Sequence, residues 1–520
     1  MKIQLIHPPI YLNVHAMTAL RPSVPLGLAY VAAALRKAGH TVSILDAVAL
    51  APDKVTPGKK KQLFQLGLAP DEIVARIDPS ADALGITNMW SFSWPLVREI
   101  VQKIKAAYPG KPIVAGGEHF TGLAEFSMRQ APVDVIALGE GEEAAVEVFA
   151  ALERGAVADW SAIPGIVYRD RDGEPVRSLA VRQRKKNVDE IAWPAWDLID
   201  VETYNAHDFV NGVKFGKTIP ILATRGCPYQ CTYCSSPNMW TTRWYPRNPV
   251  DVVDEIAHYK QTYGATNFPF QDLTAIVKRE WILDFCRELD RRQLNIRWQF
   301  PSGTRCEVVD EEVATWLAKT GGRSLAFAPE SGSERTRKLI RKQMKTESLM
   351  NAVKASVKAR LNITAFLVIG FPHDVEADMR DTIRMVRKLA LTGIDDIAIG
   401  FFFPIPNTQL YHELIQKGRV SLNDEFLLTP IFATEEKLLP ENNYCEALDH
   451  RQVTAWKYRI LLNFYATSFA VRPWKLLAVL WNALRGKETR KLETFLVDIR
   501  RKIGIAIKNR FAGARVPANA

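Results

Sequence analysis

Thr224-Arg225-Gly226-Cys227-Pro228-Tyr229-Gln230-Cys231-Thr232-Tyr233-Cys234-Ser235 puts three cysteines within eight residues, spaced C-x3-C-x2-C. Gly226 and Pro228 force a loop, and the apolar run from Thr218 to Ala223 ahead of it reads as a buried strand. Thiolates are soft ligands, and three on one short loop suit a single iron–sulfur cluster. A cubane cluster then keeps one iron open to a ligand from outside the protein. A zinc site and scattered structural thiols are the plainer alternatives. Zinc prefers paired C-x2-C or Cys/His sets, and no such partner pair follows the trio.

The 520 residues give length for roughly three domains with sizeable cores. Cys286, Cys306 and Cys445 are isolated and read as buried or inert, so the six cysteines do not make a disulfide scaffold. A reduced, cytoplasmic compartment fits an oxygen-sensitive cluster. The opening Met1-Lys2-Ile3-Gln4-Leu5-Ile6 reads as a strand entering a domain rather than as a leader. No uncharged apolar run of about 18 residues occurs, so no membrane span is expected. Of the net charge of +11, about +7 falls between Arg485 and Ala520, where ten Lys/Arg meet three Asp/Glu. The excess belongs to a tail, and no basic, aromatic stripe elsewhere speaks for a nucleic-acid partner.

Residues 1–155 alternate strands (Lys2–His7, Thr41–Asp46, Ala83–Thr87, Ile113–Gly117, Val133–Leu138) with helices (Gly27–Ala38, Pro95–Ala107, Ala144–Leu152). That pattern predicts a doubly wound, Rossmann-like parallel sheet with any ligand at the carboxyl ends of its strands. Residues 156–212 read as a linker holding a hairpin (Gly165–Tyr168, Pro175–Val181) and Trp193-Pro194-Ala195-Trp196-Asp197, whose tryptophans suit an interface core. Residues 213–411 alternate six strand candidates with helices: Thr218–Ala223, Thr266–Gln271, Ile296–Pro301, Arg323–Pro329, Ile363–Gly370 and Asp395–Phe402. They predict a partial parallel barrel with its chemistry at the strand ends. Residues 412–520 read as mostly helical. A helix over Val453–Phe469 breaks at Arg472-Pro473, the apolar stretch Trp474–Leu484 follows, then two basic helical stretches, and 513–520 read as disordered. The apolar helices with Trp and flanking Arg/Lys suit either peripheral contact with a membrane face or a cap over the barrel mouth.

The cysteine loop is similar to that of the radical S-adenosylmethionine (SAM) superfamily. The resemblance implies a (β/α)6 partial TIM barrel, a [4Fe–4S] cluster on Cys227, Cys231 and Cys234, and SAM on the open iron, with Tyr233 of the loop beside it. Phe270-Gln271-Asp272 ends the second strand, where the family often shows two acidic residues; Asp272 is kept and Gln271 departs. Arg305 follows the third strand and reads as a contact to the SAM carboxylate or as a structural salt bridge. Ala328-Pro329-Glu330-Ser331-Gly332-Ser333 resembles the E-S-G-S segment, implying SAM contacts from Glu330, Ser331 and Ser333, although Ser333 also suits a helix N-cap. Lys342 matches a frequent basic position. Gly370 and Pro372 resemble the adenine-side G-x-P. Phe403-Pro404-Ile405-Pro406-Asn407-Thr408-Gln409-Leu410-Tyr411 resembles P-x-P-G-T-x-L-Y, with Asn407 where glycine is usual. Asn tolerates the left-handed conformation.

His7-Pro8-Pro9, Pro25-Leu26-Gly27-Leu28, Gly85-Ile86-Thr87, Gly116-Gly117-Glu118-His119 and Gly139-Glu140-Gly141-Glu142 resemble, in order, the cobalamin-binding domain that precedes many radical SAM cores. The resemblance implies that Gly116 and Gly117 admit the corrinoid's nucleotide tail, among Pro25, Gly27, Glu118, Gly139 and Glu140. The Thr87–Trp94 loop, with Thr87, Met89 and Trp90, would lie beside the corrin. The D-x-H-x-x-G motif of the methionine-synthase type is reduced to Asn13-Val14-His15-Ala16-Met17-Thr18. His15 is then either a lower cobalt ligand or an ordinary loop histidine, with the lower face open or capped by Trp90 or a neighbour. A flavodoxin-like module without cofactor is the plainer alternative for this domain.

The two resemblances together imply a cobalamin-dependent radical SAM methyltransferase acting on an unactivated carbon through a 5′-deoxyadenosyl radical and methylcobalamin. The alternatives are a cobalamin-dependent oxidoreductase or cyclase of the tetrapyrrole type, and a non-catalytic iron–sulfur or corrinoid-binding protein. The implied partners are a flavodoxin or ferredoxin and a hydrophobic lipid, isoprenoid or tetrapyrrole substrate, the latter suggested by the aromatic, basic C-terminus. No residue stands out as a catalytic acid or base.

Overall fold

The computed structural model describes residues 1–13, 22–58, 60, 63–155, 160–433, 437–485, 492, 493 and 496. His15, the basic stretches after Arg485 and the segment 513–520 lie outside the described residues.

The first module is built on β1 (Lys2–His7), β2 (Thr41–Asp46), β3 (Ala83–Thr87), β4 (Ile113–Gly116) and β5 (Val135–Ala137). They form a parallel sheet in spatial order 2-1-3-4-5. Apart from Thr41 on the edge strand, their residues are buried or half-buried on both faces, which is why they read as aliphatic runs rather than as alternating segments. Ile6, Leu84, Ile86 and Ile113 pack on the helix Trp94–Ala107, and Ile3, Leu5, Val114 and Val135 pack on Leu26–Lys37 and Gly141–Glu153. The order reverses between β1 and β3, and the crevice beyond their carboxyl ends is where such sheets hold ligands. The hairpin β6 (Ile166–Arg169) and β7 (Pro175–Arg177) extends the same sheet antiparallel from β5. A small antiparallel sheet of Ile10–Asn13, Leu63–Leu66 and Val55–Pro57 adds strands that the periodicity did not signal.

The second module carries β8 (Asn267–Pro269), β9 (Arg297–Thr304), β10 (Gly322–Glu330), β11 (Asn362–Ile369) and β12 (Asp396–Phe401), parallel and in sequential order. The expected first strand, Thr218–Ala223, lies along β8 only through parallel bridges at Thr218 and Ile221. Pro220 between them has no N–H to give to a ladder. The chain then pairs Thr224–Arg225 antiparallel with Tyr245–Pro246, which fixes the start of the cysteine loop.

The modules share one apolar core. Phe371, Phe402 and Tyr411 from the carboxyl end of the barrel, and Phe426 from a helix beyond it, cluster with Ile6, Trp94 and Phe120 of the first module. Trp196 is buried edge-on to Tyr259, with ring centroids 6.5 Å apart. The Tyr204 hydroxyl donates to Asp46 at the end of β2 at 2.9 Å. The helix Asp424–Ala433 also returns to the first module, where Arg98 clamps Asp424 with two bonds of 3.0 and 2.6 Å.

The helix His450–Val471 starts on the Asp449 side chain, which accepts the N–H groups of Arg451 and Gln452, and lies along the helix Glu376–Thr392. At its far end Arg472 donates to the carbonyls of Ala390 and Leu391, and Lys475 to those of Gly393 and Ile394. Cations complete the open carbonyls of a helix end in this way. Those carbonyls lead into β12, so the helix Pro473–Leu484 sits at the amino end of the barrel, opposite the cysteine loop. A cap over the barrel mouth by this helix is therefore ruled out by its position. No helix among the described residues is long and apolar enough to cross a membrane.

Candidate active site

The cysteine loop is held by its backbone. The Cys234 N–H donates to the Cys231 carbonyl at 3.2 Å, Thr232 N–H to Ile340 at 3.1 Å, and Leu410 N–H to Thr232 at 3.0 Å. Gly226 at φ +87 passes so close to the Arg243 carbonyl that a Cβ would collide with it. Asp272 lies beneath the loop, taking the Thr224 hydroxyl at 2.5 Å and the Ala223 N–H at 3.2 Å. Burial pushes its carboxyl up to about 6, against the pull of these donors. Arg305 lays its guanidinium on the Tyr229 ring at 3.8 Å and pairs with Glu307. It thus packs on the cysteine loop while forming the salt bridge that the sequence also allowed.

Burial raises all three thiols; Lys342 and Arg305 oppose it at Cys227 and Cys231, and Ser236 opposes it at Cys234. Among the described residues no three His, Cys, Asp or Glu side chains converge on a single-ion position. A cluster asks for something else, since each thiolate binds its own iron and the sulfurs need only share a space. The donor set fits that group.

Glu330 ends β10 at φ +64, a left-handed backbone that a non-glycine residue holds only when its surroundings insist. Its carboxylate meets the Lys342 ammonium at 3.0 Å, with both side chains buried to about a tenth of full exposure. Burial alone would lower Lys342, yet Glu330 and Cys231 hold it above the usual range. Tyr233 is raised well above a normal phenol by burial and by Glu330. A buried ion pair thus stands beside the thiols, and the Thr232 hydroxyl is buried without a hydrogen-bond partner. These groups fit a zwitterionic ligand such as SAM.

Other residues of that set are occupied. The Ser333 hydroxyl caps the helix Glu334–Leu339 through Thr336 N–H at 3.2 Å and donates to Asp378 at 2.6 Å. Ser331 accepts the Ser333 N–H at 3.1 Å. Gly370, at φ +83, gives its N–H to Asp374 at 3.0 Å and faces Val453. Pro372 offers its carbonyl to Glu446 N–H at 2.9 Å. Asn407 adopts φ +64, as expected of the residue standing in for glycine.

From the first module, Gly117 at φ +112 passes within 2.6 Å, measured from its would-be Cβ, of the Asn88 carbonyl. Gly116 beside it is open, with only the Ala137 carbonyl at 3.9 Å. Met89 and Trp90 are half exposed, and the buried Asn88 side-chain nitrogen has no hydrogen-bond partner. Thr87 ends β3, and Pro25 precedes the helix Leu26–Lys37, in which nothing approaches Gly27. An open glycine, an unpartnered amide and exposed apolar side chains at the carboxyl ends of β3 and β4 fit a corrinoid.

Glu118 and Glu140 do something the sequence did not indicate. Glu118 accepts the hydroxyl of Ser235, the neighbour of Cys234, and the helix Glu118–Gly122 packs on Ser236–Trp240. Glu140 binds Arg184 at 3.0 Å and Arg225 at 3.6 Å, and Glu142 binds Arg225 at 2.7 Å. Arg225 also covers the Tyr30 ring at 4.7 Å, and Gly139 faces the Met239 carbonyl. The strand ends of the first module are therefore fastened to both flanks of the cysteine loop. Arg225, Ser235 and Tyr30 carry no motif signal; only proximity to the cysteines could have marked two of them.

The model for the B12 binding domain matches residues 14–149 and that for the radical SAM superfamily matches residues 221–386. An uncharacterized methyltransferase of Pyrococcus horikoshii is 29% identical over 80% of this chain and 83% of its own length. The cytidylyl-2-hydroxyethylphosphonate methyltransferase of Streptomyces wedmorensis is 29% identical over 81% and 82%. The anaerobic magnesium-protoporphyrin IX monomethyl ester cyclase of Rubrivivax gelatinosus is 25% identical over 83% and 73%. In fold, the chain is similar to the radical SAM methyltransferase TsrM from Kitasatospora setae, solved with cobalamin and a [4Fe–4S] cluster bound. The TM-score is 0.61 at 19% identity, over 80% of this chain and 78% of that one.

Proposed function

Since the chain belongs to the cobalamin-binding radical SAM enzymes, with both modules present in one polypeptide, we propose that it methylates an unactivated carbon of a small hydrophobic metabolite. The observation that carries this reading is the fastening of Glu118 to Ser235, and of Glu140 and Glu142 to Arg225. It sets the carboxyl ends of β4 and β5 against the cysteine loop, beside the end of β3, so groups held by the two modules face one space. When bound, the cluster and SAM supply a carbon-centred radical and the corrinoid supplies a methyl group.

The chain's own residues have the following parts in this reading. Cys227, Cys231 and Cys234 hold the cluster. Glu330, Lys342 and Tyr233 orient SAM's charged groups, with Arg305 packing the loop from outside. Gly116, Gly117 and Asn88 take the corrinoid's tail, and Met89 and Trp90 shield its ring from water. Asp272, Ser331, Ser333, Gly370 and Glu140 position these groups from behind.

The methyltransferase relatives support methyl transfer, and the cyclase relatives support a tetrapyrrole-like substrate. Exposed Met89, Trp90, Leu273 and Ile405 at the strand ends support an apolar substrate as well. The C-terminal helix Pro473–Leu484, at the far end of the barrel, lends that substrate no support. A reductant of the flavodoxin or ferredoxin type and a cytoplasmic site of action complete the proposal.

The test is anaerobic turnover of reconstituted, reduced enzyme with methyl-deuterated SAM and a panel of tetrapyrrole, isoprenoid and lipid acceptors. Label in a product, with S-adenosylhomocysteine and 5′-deoxyadenosine both formed, is expected. 5′-Deoxyadenosine with an oxidised, unlabelled product would instead make the chain a cyclase-type oxidoreductase.

A further inference from the structure

The helix Pro473–Leu484 turns apolar side chains toward solvent: Trp474, Leu477 and Trp481 are each more than half exposed, at 61, 67 and 56%, and Leu480 is 47% exposed. Positions 474, 477 and 481 recur at helical spacing and so form one stripe. A shallow groove lined by Leu477, Ala478, Leu480 and Trp481 runs along it. The helix is not a loose end. Pro473 starts it, and the guanidinium of Arg472 and the ammonium of Lys475 hook it to the carbonyls of residues 390–394 at the amino end of the barrel.

Along the sequence the charge of this segment has one sign, and in space Asp395 pairs with Lys475 at 3.2 Å while Glu493 accepts the Asn482 amide at 2.9 Å. From His450 to Lys487 the sequence contains no Asp or Glu but carries Arg451, Lys457, Arg459, Arg472, Lys475, Arg485 and Lys487. The chain beyond Arg485 adds the basic excess noted above. An apolar, tryptophan-bearing helix face with basic flanks and no acidic neighbour in sequence suits the interface of an anionic bilayer, where indole rings and aliphatic side chains enter the headgroup boundary and cations meet lipid phosphates.

We propose that the helix Pro473–Leu484 docks the enzyme on anionic lipid surfaces. It does so at the barrel end opposite the cysteine loop, so the active-site mouth points away from the lipid. The helix therefore anchors the enzyme; it does not feed substrate to the site. The proposal is independent of which reaction the site performs.

The test is co-sedimentation of the full-length holoenzyme with vesicles of phosphatidylcholine alone or of phosphatidylcholine and phosphatidylglycerol. Binding to the anionic vesicles is expected to exceed that to neutral ones at least about tenfold and to weaken in about 0.5 M salt. The exposed-face variant Trp474→Glu/Trp481→Glu should lose it while keeping the iron content and SAM cleavage of the wild type. The milder Leu477→Ser should weaken it severalfold, and it serves if the double variant folds poorly. Wild-type protein that stays in the supernatant with both vesicles overturns the proposal. So does a double variant that binds like wild type, which would assign binding to the basic tail alone. A wild-type dimer in light scattering that the variant dissolves, without vesicle binding, would make the face a contact between two copies instead.

Discussion

At the scale of single residues, Lys342 and Glu330 carry the strongest prediction. The pair is buried and only 3.0 Å apart, so removing one partner strands the other charge. Lys342→Met is expected to cost about 3–5 kcal/mol, whereas Lys342→Met/Glu330→Gln, which removes both charges, should recover most of that stability. SAM affinity should stay low in both variants if the pair also orients the ligand. Urea unfolding and SAM titration separate the two effects.

Asp272 gives a pH signature. Burial holds its carboxyl up at about 6, above the ordinary 3.8, so the native state keeps its proton longer than the unfolded chain does. Stability contributed by the protonated form is therefore present at low pH and lost as pH rises from about 4 to about 6. In Asp272→Asn the unfolding free energy should be flatter across that window by up to ~1.4 kcal/mol per pH unit. An unchanged slope would show that Asp272 titrates normally. Each of Cys227→Ala, Cys231→Ala and Cys234→Ala should abolish the cluster absorbance and SAM cleavage while leaving corrinoid binding intact, read by iron content and spectrum.

At the scale of elements, the clamp between the modules is what a sequence alone conceals. β1, β2 and β3 run from Lys2 to His7, Thr41 to Asp46 and Ala83 to Thr87, as their aliphatic runs indicate. All of those residues but Thr41 are buried or half-buried, and burial leaves a composition that can be read along the chain. The strands Ile10–Asn13 and Leu63–Leu66 were not legible, because each is short and its partner lies some fifty residues away. Glu118 and Glu140 stood out for their glycine neighbours, yet their carboxylates are spent on Ser235, Arg184 and Arg225. Pairings of that kind depend on how two modules dock and leave no spacing to read. Arg225→Leu should therefore destabilise the native protein by about 3 kcal/mol, chiefly by stranding Glu142, since Glu140 keeps Arg184. Differential scanning calorimetry and proteolysis of the 178–187 segment would show it. Gly117→Ala, which pushes a Cβ against the Asn88 carbonyl at φ +112, should cost roughly 1–3 kcal/mol and reduce corrinoid retention.

At the scale of the whole molecule, the two modules share a core, and a helix from beyond the barrel, Asp424–Ala433, closes back on the first of them. The strand ends of the first module and the cysteine loop therefore meet across a packed interface, the rigidity that radical chemistry needs to place reacting atoms and exclude water. Motif order identified both modules because each cofactor fixes a short backbone pattern. The C-terminal helix Pro473–Leu484 has no such tie, and its position away from the mouth came only from Arg472 and Lys475 on the carbonyls of 390–394.

The most direct test of the account is the metal content of protein purified and reconstituted without oxygen in the presence of iron, sulfide and hydroxocobalamin. About four irons together with about one cobalt per chain, both surviving gel filtration, is the predicted result. Four irons without retained cobalt would leave the cysteine loop and its SAM-site residues standing but contradict the claim that the first module delivers a methyl group to the space they share.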